Sequence, residues 1–299
     1  MTDINLELYK VFCEVAKTGN ISKAAEKLFV SQSAVSQAVM QLENRLGGRL
    51  FDRSARGVKL TAEGQALFSY VDNAVNIIEN AREKIADMQS LRAGAIKLGA
   101  SDTTCSLFLL PVLQRFNGLF PDIRISVTNL TTRESIALLK SGAVDLSFGN
   151  LPVDDDPSLE ITPVMPIHDC FVTGGKYAFL ANSALRLADL RDYPILMIDK
   201  TSNSRRQMDL FLASHKLEIR PAIELGSLAL LAQFAGIGLG VAATIREDVR
   251  TMMETGELVE LRFAETLPTR HIGLIRMKNT ALSFAAKAFI ETIGIRETR

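Results

Sequence analysis

The chain has no tryptophan and only three cysteines, Cys13, Cys105 and Cys170, in 299 residues. Thiols so few and so far apart supply neither a disulfide framework nor a CxxC site, and they fit a reducing compartment, the cytoplasm. No run of about 18 apolar residues occurs, so no segment is expected to cross a membrane. The opening residues, MTDINLELYK, lack the basic stretch and apolar core of a secretory signal. Neither sign of charge is in excess: 34 basic and 34 acidic side chains give a formal net charge of +0. That excludes a uniformly basic coat for nucleic acid and permits a local patch. Enzymatic and metal signatures are missing as well. His168, His215 and His271 are isolated and form no HxxxH or HExxH, no GxSxG occurs, and Gly174-Gly175-Lys176 is too short for a phosphate loop. The GIGLG at 236–240 precedes a strand pattern, and Val241 stands where a dinucleotide loop needs its third glycine. No cofactor and no metal are expected. The 47% hydrophobic and 23% charged composition is that of a globular protein, long enough for two units.

The even charge total hides a local patch. Residues 44–60 carry Arg45, Arg49, Arg53, Arg56 and Lys59 against the single acid Asp52. A basic run is also what a solvated face looks like, so its surroundings decide. Leu8, Val11, Phe12 and Val15 have the spacing of a one-sided helix, with Asn5 to cap it and Gly19 to end it. A second helix fits Ser22 to Leu28, with Ser22 as its cap. After a break at Phe29-Val30 a third follows, with Val35, Val39, Leu42 and Leu46 as its buried stripe. Its outer face, Gln32, Ser33, Ser36, Gln37, Met40 and Asn44, is rich in amides and hydroxyls where a wet helix usually carries Lys and Glu. Gln pairs bidentately with adenine, and Ser bonds several base edges. Two short helices and a tight turn describe a helix-turn-helix. LFDRSARGVKLT then reads as strand, turn, strand, with a basic tip at 53–57 suited to phosphates and the minor groove. The whole is a winged helix-turn-helix over residues 1–60.

The run ISKAAEKLFVSQSAVSQAVMQLENRLGGRLFDRSARGVKLTAEG closely resembles the N-terminal signature of LysR-type transcriptional regulators. The resemblance is dense over about 4–66 and looser over the rest. It implies a dimeric or tetrameric regulator that binds double-stranded DNA and answers to a small co-inducer. It places base contacts at Gln32, Ser33, Ser36 and Gln37, and wing contacts at Arg53 and Arg56. It departs from the usual pattern at Gln37, often Arg, and at Met40-Gln41, where a basic residue often falls.

From Thr61 to about Arg92 there is no proline, and Gly64 is the one glycine. Leu67, Val71, Ala74, Ile78, Ala81, Ile85 and Met88 alternate spacings of four and three, a heptad seam. Two readings fit: a dimerising coiled coil, or a long helix lying on its own core. The first is preferred, and the resemblance implies it too.

Residues 93–299 change to alternating strands and helices, an α/β region with parallel sheets. AIKLGA (95–100), IRISVT (123–128), VDLSFG (144–149), ILMI (195–198), AIEL (222–225) and LGVAA (239–243) read as strands. Chain breaks at 163–167 and near Pro268 divide a first lobe, about 93–165 and 268–299, from a second, about 166–267. The strand HIGLIRM and the helix 280–294 return to the first. Two lobes with two crossovers resemble a periplasmic-binding-protein architecture, whose ligands sit in the cleft at strand ends and helix starts. Hydroxyl-rich turns follow three strands: Ser101 to Thr104, Thr131-Thr132, and Thr201 to Ser204. Each is also what a helix N-cap requires. Their recurrence in both lobes favours a binding site at Ser101, Thr103, Thr131, Thr132 and Ser202; the resemblance places effector contacts at four of these, Thr131 excepted. Helix starts favour an anionic guest, and Arg133, Arg205 and Arg206 are close in sequence. Two competitors stand beside this reading: one of a different class, an enzyme with a DNA-binding tail, which lacks an acid–base or nucleophile constellation, and a thiol sensor of the same fold using Cys105.

Overall fold

The computed structural model describes residues 5–54, 57–89 and 94–294. The chain divides into two compact units, Met1–Ile85 and Ala86–Arg299.

The first unit begins with three helices, α1 (Leu6–Thr18), α2 (Ile21–Leu28) and α3 (Gln32–Leu46). Asn5 caps α1 by accepting from the Glu7 N–H at 3.1 Å, and Gly19 ends it at φ +60°. The cap of α2 is Asn20 rather than Ser22. Its Oδ1 accepts from both the Ser22 and Lys23 N–H groups, which an extended residue just outside the helix can reach and one already inside it cannot. Phe29 turns the chain out of α2 at φ +55° with its ring 96% exposed. Val35, Val39 and Leu42 of α3 are buried with Phe12, Val15 and Ala24. Leu46 is not part of that stripe: it is exposed, because α3 outruns the core by one turn before Gly47 ends it.

Strands β1 (Phe51–Ser54) and β2 (Gly57–Leu60) pair antiparallel as the wing, with Phe51 opposite Leu60 and Ser54 opposite Gly57. The Glu43 Oε1 anchors its base, accepting from the Leu50 and Phe51 N–H groups at 2.8 and 3.2 Å. Gly57 lies so close to α1 that a Cβ would sit 2.7 Å from the Gly19 carbonyl oxygen. Arg56 lies outside the described residues, as does the side chain of Arg53.

Helix α4 (Ala62–Gln89) follows at once. Its first half belongs to the helix-turn-helix: Leu67, Phe68, Val71 and Val75 pack on the same core, and Lys17–Asp72 and Lys10–Glu79 ion pairs tie it to α1 at 2.6 and 3.1 Å. The expected heptad seam therefore divides. Val71 is 9% exposed, whereas Ile78, one heptad on, is 37% exposed beside open Ala74, Ile77 and Ala81. The side chains of Ile85 and Met88 lie outside the described residues.

In the second unit β3 (Ala95–Ala100) leads into α5 (Asp102–Thr104), a π-helical turn (Cys105–Leu109) and α6 (Leu110–Leu119). The widened turn falls where Pro111 has no N–H to offer one turn back. Next come β4 (Arg124–Asn129), α7 (Thr132–Lys140), β5 (Leu146–Asn150) and β6 (Leu159–Thr173). Two 3₁₀ segments, Gly175–Asn182 and Leu187–Asp192, lead to β7 (Ile195–Ile198), α8 (Asn203–Ser214), β8 (Ile223–Leu225) and α9 (Leu228–Gly236). The chain continues with β9 (Val241–Ile245), α10 (Arg250–Glu254), β10 (Val259–Glu260), β11 (Thr269–Met277) and α11 (Phe284–Ile293).

The strand order is β4-β3-β5-β11-β6-β9-β7-β8. The sheet is mixed rather than parallel: β3 pairs parallel with β4 and β5, and β7 with β8 and β9, but β5–β11, β11–β6 and β6–β9 are antiparallel. Nor is there a break at 163–167, because β6 runs straight through it. Register slips by one residue between Ile272 and Gly273, leaving Val164 as a bulge between Pro163 and Pro166, which is how a strand accommodates residues lacking an N–H. One core gathers Ile96, Leu98, Phe116, Phe148 and Phe289, and another Ile167, Val172, Leu196, Leu231 and Ala242. Phe108 and Val164 touch both.

Where β6 changes partner from β11 to β9, Asp169 meets Arg270 of β11. The guanidinium donates Nε to Oδ2 at 2.8 Å and Nη2 to Oδ1 at 2.5 Å, with both side chains 4% exposed. Breaking such a pair from one side leaves a buried charge without compensation, whereas replacing both members with apolar residues removes the desolvation cost. Asp169→Ala should destabilise the second unit by about 3–5 kcal/mol in urea denaturation, and Asp169→Leu with Arg270→Met should recover most of that loss. A single-variant loss below about 1 kcal/mol, the range of exposed ion pairs, would show that the pair is solvated.

Candidate functional site

On α3 the residues singled out from the sequence share the open side of the helix. Gln32, Ser33 and Gln37 are exposed and Ser36 is half-buried, opposite the buried Val35, Val39 and Leu42. Ser31 begins the helix by accepting from the Ala34 N–H at 3.2 Å, and its Oγ also bonds Ser33 Oγ at 2.9 Å. That leaves the amides of Gln32 and Gln37 at the solvent end of a fixed helix. Exposed Met40, Gln41, Asn44 and Arg45 continue the same face.

A cavity of about 540 Å³ in the second unit brings all five hydroxyl residues together: Ser101, Thr103, Thr131, Thr132 and Ser202. The sequence left open whether they cap helices or line a site; all five border the cavity, and three of them, Ser101, Thr131 and Ser202, also cap helices. Ser101 Oγ accepts from the Thr104 N–H at 3.3 Å, Thr131 Oγ1 from Glu134 at 3.4 Å, and Ser202 Oγ from Ser204 at 3.2 Å. Thr132 is buried, its Oγ1 accepting from the Asn150 N–H at 3.2 Å. A Cβ on Gly149 would lie 2.4 Å from Thr132 Cγ2, so glycine there lets α7 sit close enough to form that bond. Four helix starts face the cavity, because Ser227, which caps α9, lines it too.

The floor is made by bonds between the lobes. Asn150, last residue of β5, donates Nδ2 to Ser204 Oγ at 3.1 Å, and Asn203 Nδ2 donates to the Asn150 and Pro152 carbonyls at 2.5 and 2.9 Å. Nearer the rim, Ser106 Oγ donates to Asp248 Oδ1 at 3.4 Å. The sequence reading missed Asn150, Asp199, Ser227 and Asp248. A signal existed for the first two, which are the residues at which β5 and β7 reach their C-terminal ends, where open α/β sheets place ligands. Ser227 follows β8 by the same hydroxyl pattern as the other turns.

The charges differ from expectation. None of Arg133, Arg205 and Arg206 is among the lining residues. Arg205 is buried against Asp209 and Glu224, at 2.9 and 3.5 Å, and Arg206 points to Asp154 at 2.8 Å. The lining instead carries Asp102, Glu134, Asp199 and Asp248, with no Lys, Arg or His. Bonds from the Thr131 hydroxyl and N–H hold the Glu134 carboxyl below its ordinary range, and Asp199 acts in the opposite sense. Burial pushes Asp248 up.

Cysteine chemistry finds no support in this environment. Cys105 stands beside the cavity, but burial and then Asp102 raise its thiol, the reverse of an activated thiolate. Burial also raises Cys170, and it pushes Cys13 up to about 12 with help from Asp72. Among the described residues no group of three His, Cys, Asp or Glu side chains is placed to hold a metal ion, and no helix is long and apolar enough to cross a membrane.

Residues 6–65 match the bacterial regulatory helix-turn-helix proteins of the lysR family, and residues 89–296 match the LysR substrate binding domain. A probable RuBisCO transcriptional regulator of Trichormus variabilis is 28% identical over 98% of this chain and 89% of its own. The HTH-type transcriptional regulator GltR of Bacillus subtilis is 26% identical, with 96% and 95% covered. Among solved structures, the LysR family regulator CbnR superposes with a TM-score of 0.71 at 19% identity over 97% of this chain and 98% of that one. A full-length OxyR variant from Pseudomonas aeruginosa gives 0.70 at 18%, covering 99% and 97%. With the two family matches spanning nearly the whole chain and the winged helix-turn-helix and two-lobed domain in place, this protein belongs to the LysR family of bacterial transcriptional regulators, with an effector-binding C-terminal domain.

Proposed function

We propose that the protein is a cytoplasmic regulator that dimerises through α4, reads DNA through Gln32, Ser33, Ser36 and Gln37 with Arg53 and Arg56 on the wing, and binds its effector at Ser101, Thr103, Thr131, Thr132 and Ser202. The observation that carries this reading is the cavity itself. It is walled by residues of both lobes, and its floor consists of bonds between them, so a ligand there biases how the lobes close. On this reading the site binds without turnover: the lining hydroxyls that meet carboxylates, Thr131 on Glu134 and Ser106 on Asp248, belong to a helix cap and an inter-lobe bond.

The exposed α3 face supports sequence readout, because amides on a fixed helix offer paired donor and acceptor groups to a base edge. Gln37→Ala should weaken binding to a selected operator by about 1–3 kcal/mol, read by fluorescence anisotropy, with little effect on random DNA. Equal losses on both DNAs would place Gln37 on the backbone instead.

The second half of α4 supports self-association. Ala74, Ile77, Ile78 and Ala81 form an exposed apolar stripe, while the first half of the same seam is already committed to the helix-turn-helix core. Ile78→Asp puts a charge into that contact and should shift sedimentation toward monomer. Val71→Ala should instead lower the stability of the first unit by about 1–3 kcal/mol and leave the oligomer intact. An Ile78→Asp protein that sediments as wild type does would remove α4 from the interface.

A further inference from the structure

The acids of the effector cavity are held without a cation. Outside it, Asp154, Asp156, Asp169, Asp209, Glu160 and Glu260 each face an Arg or Lys within ion-pair distance. Inside it, neutral groups do the holding. Asp102 takes the Asn129 Nδ2 at 2.6 Å, Glu134 the Thr131 N–H and hydroxyl at 3.0 and 2.7 Å, Asp199 the Thr201 N–H at 2.9 Å, and Asp248 the Ser106 hydroxyl at 3.4 Å. Asp102 and Glu134 come from the first lobe, Asp199 and Asp248 from the second, so like charges face each other across the gap. The four helix starts offset part of this charge, but each is already capped by its own Ser101, Thr131, Ser202 or Ser227.

A second observation comes from the cavity floor. Asn150 lines the cavity and is 6% exposed, and its Nδ2 is engaged by Ser204 while its Oδ1 has no hydrogen-bond partner. A buried carbonyl oxygen is satisfied only by a donor. The cavity thus carries carboxylate acceptors on both walls and an unpartnered buried acceptor behind its floor, and no Lys, Arg or His is among the lining residues. A bare metal ion does not fit, because the carboxylates are dispersed around about 540 Å³ and no three are grouped for coordination. A small organic molecule with several N–H groups fits both the size and the spread.

We propose that the ligand of this cleft is a small organic cation, a protonated amine whose N–H groups reach the Glu134 and Asp199 carboxylates and the Asn150 Oδ1 and so join the two lobes. This rests on the effector-cleft reading above and replaces the anionic guest expected from the sequence. The ammonium relieves the repulsion between the walls, and a plain carboxylate increases it.

The test is isothermal titration of the full chain with putrescine, agmatine and spermidine, alongside succinate and butane-1,4-diol as acidic and neutral counterparts of putrescine. At least one amine should bind with one site per chain, and succinate and the diol should give no heat. Glu134→Gln and Asp199→Asn should each weaken the amine about 10-fold or more, the range for a hydrogen bond to a charged group. Asp122→Asn, which removes the same charge from an exposed loop, should leave it unchanged. No heat from any amine overturns the proposal. So does succinate binding that Thr132→Val abolishes, which keeps the cleft and makes its guest an anion. Amine binding that survives Glu134→Gln, Asp199→Asn and Thr132→Val lies outside the cleft and overturns both the proposal and the cleft reading.

Discussion

Asp169 and Arg270 meet where β6 leaves one lobe and enters the other, and the rest of the effector domain is arranged around that meeting. Two buried opposite charges cannot drift apart without exposing each other to an apolar interior. The crossover strands are therefore fixed relative to each other at the boundary. Arg270 also reaches Ser204 Oγ at 3.5 Å, and Ser204 accepts from Asn150. A short polar chain thus runs from the strand crossing to the cavity floor. The lobes are thereby tied at the base of the cavity, and Ser106 and Asp248 add a bond between them nearer the rim.

The cavity lining is economical in its chemistry. Ser101, Thr131, Ser202 and Ser227 begin helices, and the same hydroxyls border the cavity. A side chain whose oxygen accepts from its own helix still has a proton to donate, and Thr131 gives its proton to the Glu134 carboxylate at 2.7 Å. Close packing behind the lining fixes its position: Gly149 lets Thr132 approach β5, and Ser135 bonds Ser147 at 2.6 Å beneath it.

Local periodicity and capping chemistry made much of this legible in the sequence. The helices of the first unit, the hairpin, the long α4 and the hydroxyl turns all depend on residues within a few positions of one another. The misreadings share a different origin. Asn20 rather than Ser22 caps α2, a choice set by backbone geometry two residues earlier. Pro163 and Pro166 read as a break because the bulge that accommodates them exists only opposite β11. Arg205 and Arg206 were close to the cleft in sequence, but α8 turns them toward Asp209, Glu224 and Asp154. The acids of the cavity come from separated segments that only tertiary packing assembles, which no spacing rule detects.

The division of labour along α4 has a mechanical side. Its first half is welded to the helix-turn-helix by Leu67, Val71 and Val75 and by ion pairs reaching as far as Glu79. The rod is joined directly to the base of the wing, since Thr61 caps α4 while bonding the carbonyl of Arg49 there. In the proposed dimer, the rod and the reading head turn as one piece. A small change in the angle between two such rods swings the paired recognition helices through a larger arc at their far ends. A joint this stiff passes a change of angle at the rods to their ends without absorbing it.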